Sequence, residues 1–206
     1  KTLRLAVSLI TTLALCIVVL QSPGRSASRL TDDFAQMIGM ADAIVEATVI
    51  KTEVQPAGNL PAPLTVVTLK LQKVYKGELA NEEIRVEYLG GFDGMHQVIS
   101  SGQPDLRVGE SVLLLLASPR PGRNWRVLGG DAGQVALACD PQGRLIARRA
   151  SGEFDYFVPS AQSVTGFSEV RCKTVTADRL AELLNVILKT GKPVIETADT
   201  LPALSE

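Results

Sequence analysis

The stretch 65-TVVTLKLQKVYKGELANEEIRVEYLGG-91 decides the fold. Val67, Leu69 and Leu71 alternate with Thr68, Lys70 and Gln72. After a connection that contains Gly77, Ile84, Val86 and Tyr88 alternate with Arg85 and Glu87. A period of two sends successive side chains to opposite faces of an extended chain, so each half reads as a β-strand with one apolar and one wet face. The connection is longer than a two-residue turn, so hairpin pairing is expected without being imposed by the turn.

More strands lie on either side. In AIVEATVIKTEV, Val45, Ala47 and Val49 oppose Glu46 and Thr48, and QPAGNLPAP is a Pro/Gly loop. SVLLLLA, residues 111–117, is apolar without alternation, which requires cover on both faces. NWRVLGG and GQVALACD are two short strands, DPQG is a turn, and RLIARR returns from it. Strands at this spacing, with turn signals between them, indicate a mainly β fold, a small antiparallel barrel or sandwich.

Two segments carry the helical period instead. SRLTDDFAQMIGMAD places Phe34, Met37 and Ile38 on one face, with Thr31 as cap, Asp32 and Asp33 in the first turn and Gly39 at the end. VTADRLAELLNVILKTGK is the stronger signal. Thr176 caps it, Leu180, Leu183, Leu184, Ile187 and Leu188 form an apolar stripe, and Lys189 and Gly191 close it. Burying five such side chains stabilises by roughly 8–15 kcal/mol gross, an upper bound. The stripe needs a cover and so does the strand at 112–116, so this amphipathic helix is expected to pack on that strand. SGEFDYFVPSAQSVTGFSEVRCK, ahead of the helix, shows no clear period and reads as an irregular arm.

The first residues, KTLRLAVSLITTLALCIVVLQSPGRSASRL, run from basic Lys1 and Arg4 through an uncharged, mostly apolar segment at 5–20 to Pro23, Gly24 and small residues. That order is the order of a secretory signal peptide. The apolar run is shorter than the ~20 residues of a spanning helix, which weighs against an uncleaved anchor. Leu15 is too large before Cys16 for a good lipidation box. The expected organisation is a signal peptide at 1–27, a β-domain with its short N-terminal helix at 28–150, the arm and packed helix at 151–192, and a flexible tail at 193–206. The protein is expected to be exported, periplasmic or extracellular, with no membrane span after cleavage.

Charge and cysteine count follow from that division. Lys1, Arg4 and Arg25 leave with the leader, so 18 of 21 basic residues face 22 acids, a net charge near −4. No basic excess remains to neutralise phosphates, which argues against nucleic-acid binding. Cys16 leaves too. Cys139 and Cys172 remain, an even number in an exported chain, and are expected to form a disulfide in an oxidising compartment.

The search for chemistry is short. His96 is the single histidine, so no His-Glu-x-x-His is possible, and the cysteines lack metal spacing. No dense acidic calcium loop occurs. No cofactor and no metal are expected. The serines lack a Gly-x-Ser-x-Gly setting, and nothing in the spacing recommends a triad on His96. The loop LGGFDGMHQVISSGQPDLRVGE gathers Gly90, Gly91, Asp93 and His96 at one end of the strand pair, and these four are the candidate binding residues.

The order Ala41-Asp42, Val74-Tyr75-Lys76-Gly77, Gly90-Gly91, Gly109-Glu110 and the apolar strand at 112–116 resembles a group of exported bacterial OB-like β-domains of unassigned function. Some of these occur near matrixin-type zinc proteases. More distantly the pattern is similar to the netrin/tissue-inhibitor barrel. The resemblance implies an OB-like barrel and covers about half of the chain, Ala41 to roughly Asp140; with the helix placed as above, the expected fold is that barrel covered by the C-terminal helix. The inhibitors of the latter family chelate zinc through an N-terminal cysteine. This chain has none between Cys16 and Cys139, so that mechanism is not carried over. The functional expectation is a non-catalytic binding domain for a protein or cell-envelope component. The alternatives are a regulator of a secreted metalloprotease and, third, a hydrolase using His96.

Overall fold

A computed structural model describes residues 33–56, 62–92, 94, 97–119, 121–159 and 167–191. The expected leader at 1–27, Thr31, Asp32, Asp93, His96 and the expected tail at 193–206 lie outside these residues. The described chain is mainly β, with helix α1 (Phe34–Met40), strands β1 (Ala43–Gln55), β2 (Leu64–Lys76), β3 (Glu83–Leu89), β4 (Gly91–Phe92), β5 (Gln97–Val98), β6 (Ser111–Ala117), β7 (Arg126–Val127), β8 (Gln134–Cys139), β9 (Leu145–Arg149), β10 (Phe154–Pro159), β11 (Phe167–Cys172), β12 (Thr174–Thr176), and helix α2 (Ala177–Thr190).

Eight of these strands form one antiparallel sheet in the order β12-β9-β8-β6-β1-β2-β3, with β7 on β6. The opening stretch is an antiparallel pair, Val67 opposite Val86 and Leu69 opposite Ile84. The sheet forks at β6. Residues 111–114 of one β6 edge pair with β8, and Leu116 and Ala117 of the same edge pair with β7. The sheet is not closed into a barrel. β3 meets the β7 segment only through an isolated parallel bridge between Val86 and Trp125.

β6 is buried on both faces because two separate cores flank it. Val112, Leu114 and Leu116 join Val45, Ala47, Val67, Leu69 and Val86 in the hollow of the curled strands. Leu113 and Leu115 face the other way, into a core shared with Phe34, Met37 and Ile38 of α1 and with Leu180, Leu183, Leu184 and Ile187 of α2. The helical stripe and one face of the unalternating strand thus share a core, with α2 seated mainly on β9, β12 and α1.

The structure corrects four local expectations. α1 is capped by Asp33, whose carboxylate accepts the Ala35 N–H at 2.9 Å and the Gln36 N–H at 3.3 Å, and the helix runs past Gly39 to Met40. The arm is not irregular: β10 and β11 pair along their whole length as a separate two-stranded ribbon, and β12 joins the main sheet. Its lack of apolar alternation does not prevent a backbone ladder. Phe154 at its start is fully buried and meets Phe34 edge-on at 5.0 Å. The glycine-rich loop also contains a short pair, Gly91 with Val98 and Phe92 with Gln97.

The fourth correction concerns the cysteines, which no disulfide joins. Cys139 pairs with Leu145 at one end of β9, while Lys173, next to Cys172, accepts a hydrogen bond from Arg149 N–H at the other end. Four residues of strand separate those ends, about 13 Å, whereas a disulfide needs Cα atoms within about 7 Å. The even count carried the expectation, and the register of β8, β9 and β12 overrules it.

Candidate functional site

Asp42, Lys76 and Gly77 come together at one end of β1 and β2, and their contacts are those of a scaffold. The Asp42 N–H donates to the Leu116 carbonyl at 2.8 Å, and its carboxylate accepts the Ser118 N–H at 2.7 Å. That hydrogen bond is the main cause that holds the Asp42 carboxyl below its usual pKa. The Lys76 ammonium donates to the Ile38 and Gly39 carbonyls at 3.0 and 2.9 Å, which satisfies orphan acceptors at the end of α1 and opposes the helix dipole there. Gly77 follows with φ +88°, and a Cβ there would lie 2.7 Å from the Asp42 carbonyl oxygen. The Ala-Asp and Lys-Gly signatures thus lock α1, β1, β2 and β6 together.

Gly90 and Gly91 have a comparable role. Gly90 donates its N–H to the Pro63 carbonyl at 2.7 Å and accepts the buried Thr65 hydroxyl at 2.6 Å. A Cβ on Gly91 would meet Thr65 Oγ1 at 2.6 Å and both Val54 methyls at 3.1 Å. The two glycines let the chain leave β3 against the start of β2. Asp93 and His96, the other two candidates, lie outside the described residues.

A cleft of about 520 Å³ opens directly beside this corner. One wall is the outer edge of β3 at Glu87, Tyr88 and Leu89. The other is Arg126, Val127 and Leu128, and the loop at 102–104 forms an end. Its volume falls within the ~300–1,000 Å³ common for ligand sites. Glu87 organises the rim. It is only 5% exposed, and its carboxylate faces the Arg123 guanidinium at 3.1 Å and accepts from Asn124 Nδ2 at 2.9 Å and Asn124 N–H at 3.3 Å. These bonds hold the turn that delivers Trp125 to β3, where Trp125 N–H donates to the Arg85 carbonyl at 3.0 Å and Glu87 N–H donates to the Trp125 carbonyl at 2.8 Å.

The end wall is pinned with similar economy. The Gln134 side chain, 4% exposed, accepts the Asp105 N–H at 3.0 Å and donates to the Asp105 carbonyl at 2.7 Å. That pairing seats Leu106 in the hollow core. Burial pushes the Tyr88 hydroxyl above its usual pKa, Asp105 adds to the rise, and a hydrogen bond from the Leu106 backbone opposes it.

Arg123 is matched by Glu87. Arg126, exposed on the same rim, has no ion-pair partner among the described residues, and the Asp131 carboxylate lies beside Gly102 at the end wall. Between the charges lie apolar surfaces of Leu64, Leu89, Val127 and Leu128. This arrangement suits an acidic ligand with apolar flanks. Nothing in the alternation pattern pointed to it: Glu87 reads as a wet-face residue, and Arg123 lies just ahead of the short strand NWRVLGG and Arg126 within it, with no motif. The single tryptophan beside them was the only signal available.

Among the described residues, no group of three or more His, Cys, Asp or Glu side chains is placed to hold a metal ion, and no helix is long and apolar enough to cross a membrane. No protein-family model matches the chain and no curated protein matches it significantly.

Proposed function

We propose that the protein is an exported, non-catalytic binding domain that holds another protein or a cell-envelope component in the cleft between β3 and β7. The observation that carries this reading is Arg126, without an ion-pair partner among the described residues, on the rim of a cleft whose walls are fixed by the Glu87 and Gln134 networks. Rigid walls with few, placed polar groups are the usual features of a binding site. The leader-like first residues support export.

In this reading β1, β2, β3, β7 and β6 are an OB-like ring. Support comes from the order of contacts, in which β1 pairs with β2 and β6, β2 with β3, and β6 with β7, while Trp125 touches β3 in parallel. A five-stranded, partly open Greek-key barrel has that kind of incomplete closure. The cleft is then the open part of the seam.

A pull-down from envelope extracts of the native host tests the function. The wild-type protein and a Lys51→Glu variant, altered on an exposed strand residue away from the cleft, are expected to retain the same partner. An Arg126→Glu variant is expected to lose it. Equal retention by all three proteins contradicts the assignment of the cleft.

A further inference from the structure

We propose that the cleft takes an extended peptide segment, which pairs with the edge of β3 at residues 87–89 and sets an acidic side chain against Arg126. This rests on the reading of the cleft as a ligand site and adds the class of ligand and the mode of contact.

The backbone directions carry the argument. In the ladder between β2 and β3, Leu71 N–H donates to the Glu82 carbonyl and Gly90 N–H to the Pro63 carbonyl. Alternation then turns the backbone groups of residues 83, 85, 87 and 89 outward, away from β2. On the opposite wall, Leu128 N–H donates to the Leu115 carbonyl at 2.8 Å, so Arg126 and Leu128 turn to β6 while Trp125 and Val127 turn to β3. Trp125 uses both of its groups, on Arg85 and Glu87. The next two rungs would join Val127 N–H to the Glu87 carbonyl and Leu89 N–H to the Val127 carbonyl. Neither bond forms, and the bridge stands isolated.

Four backbone groups therefore face an open cleft from two strand edges: the Glu87 carbonyl, the Leu89 N–H, and the Val127 N–H and carbonyl. Water-facing strand edges are templates for an added strand, and main-chain bonds of this kind give affinity while alternate side chains give specificity. The side-chain surroundings define the sequence preference. A strand laid on β3 presents every second residue to the apolar surfaces of Leu64 and Val127 and the intervening one to the rim, where Arg126 is the unmatched charge. Arg123, held by Glu87, is not available for it.

Backbone NMR of the isotopically labelled protein tests this with three capped pentapeptides and glutarate. The first peptide is Thr-Val-Glu-Val-Thr, the second has a central lysine, and the third is the glutamate peptide with alternate amides N-methylated. The glutamate peptide is expected to shift and protect the Leu89 and Val127 amides. It should bind about fivefold more tightly than the lysine peptide, the ratio expected for one exposed charge pair. Arg126→Glu should reverse that order while leaving the spectrum of the helical core unchanged. The N-methylated peptide should not bind. Strand pairing is overturned, with the ligand site intact, if glutarate perturbs the Arg126 rim as strongly as the peptide does or if N-methylation is harmless. If no probe perturbs the cleft and the envelope partner survives Arg126→Glu, both readings fall.

Discussion

The backbone N–H of Glu87 donates to the carbonyl of Trp125 at 2.8 Å, and this contact with its neighbour from Trp125 to Arg85 is what joins β3 to the β7 segment. The Glu87 side chain reinforces its own backbone by gripping Arg123 and Asn124 just ahead of Trp125. One residue thus holds the seam at two levels. Glu87→Ala leaves two polar partners unmatched at a half-covered rim and is expected to cost about 1–3 kcal/mol. Urea unfolding measures the loss. The single tryptophan gives a local readout: its emission should shift to the red in the variant even under native conditions.

Gly77 offers a sharper comparison. Gly77→Ala combines a positive φ with a Cβ 2.7 Å from the Asp42 carbonyl, and should cost about 2–4 kcal/mol. Gly109→Ala, at φ +92° with open space around it, carries the backbone strain alone and should cost about 1 kcal/mol. Thermal melts of the two variants that coincide would remove the close packing of the Lys-Gly turn on β1 from the account.

Leu184 is fully buried between α2 and the sheet. Leu184→Asp places an unpaired carboxylate in that core and is expected to cost several kcal/mol, a large share of an ordinary 5–15 kcal/mol stability. Glu182→Ala, on the exposed side of α2 where Glu182 pairs with Arg179, should melt within about 0.5 kcal/mol of wild type. A Leu184→Asp protein that melts like wild type would show that α2 is not part of the fold's core.

The parts that were legible in the sequence are those where one face decides the pattern. β2, β3 and the stripe of α2 read directly because their alternation or helical period reports which side is dry. β6 read as doubly buried because it has no alternation at all. The seam did not read. β7 is two residues long, and Glu87 falls on the polar face of β3 yet is covered by a turn some 35 residues later in the chain. Arg149 was equally hidden: it lies at the end of a return strand but is 2% exposed, donating to the Ala132 and Glu153 carbonyls against the Phe34 ring. Such contacts depend on which distant segment arrives, and a local period cannot carry that.

The cysteines give a prediction from register alone. Thiol titration of the denatured, unreduced protein should detect both Cys139 and Cys172 as reactive thiols. A bond between them would require β9 and β12 to shift by several residues, so its detection would overturn the β8-β9-β12 register.

Tyr75 sets a pH dependence. Burial, then the charge of Glu46 and the 3.1 Å hydrogen bond to it, push the Tyr75 hydroxyl up to about 12 from 10.0. The folded pKa is raised above the unfolded one, so this contribution to stability is fully present below pH 10 and is lost as pH rises from 10 towards 12. Between those values the melting temperature of wild type should fall more steeply than that of Tyr75→Phe. Parallel curves would mean that Tyr75 ionises alike in both states.

Ligand entry at the seam between β3 and β7 is tested most directly by site-specific photocrosslinking in the native host, with benzoylphenylalanine placed at position 103, which lines the cleft while leaving Arg126 in place, or at position 182 on the exposed side of α2. A discrete adduct is expected from position 103 and none from position 182. Adducts from position 182 alone, or none from position 103 in cells that make the protein at native levels, would contradict entry at the seam.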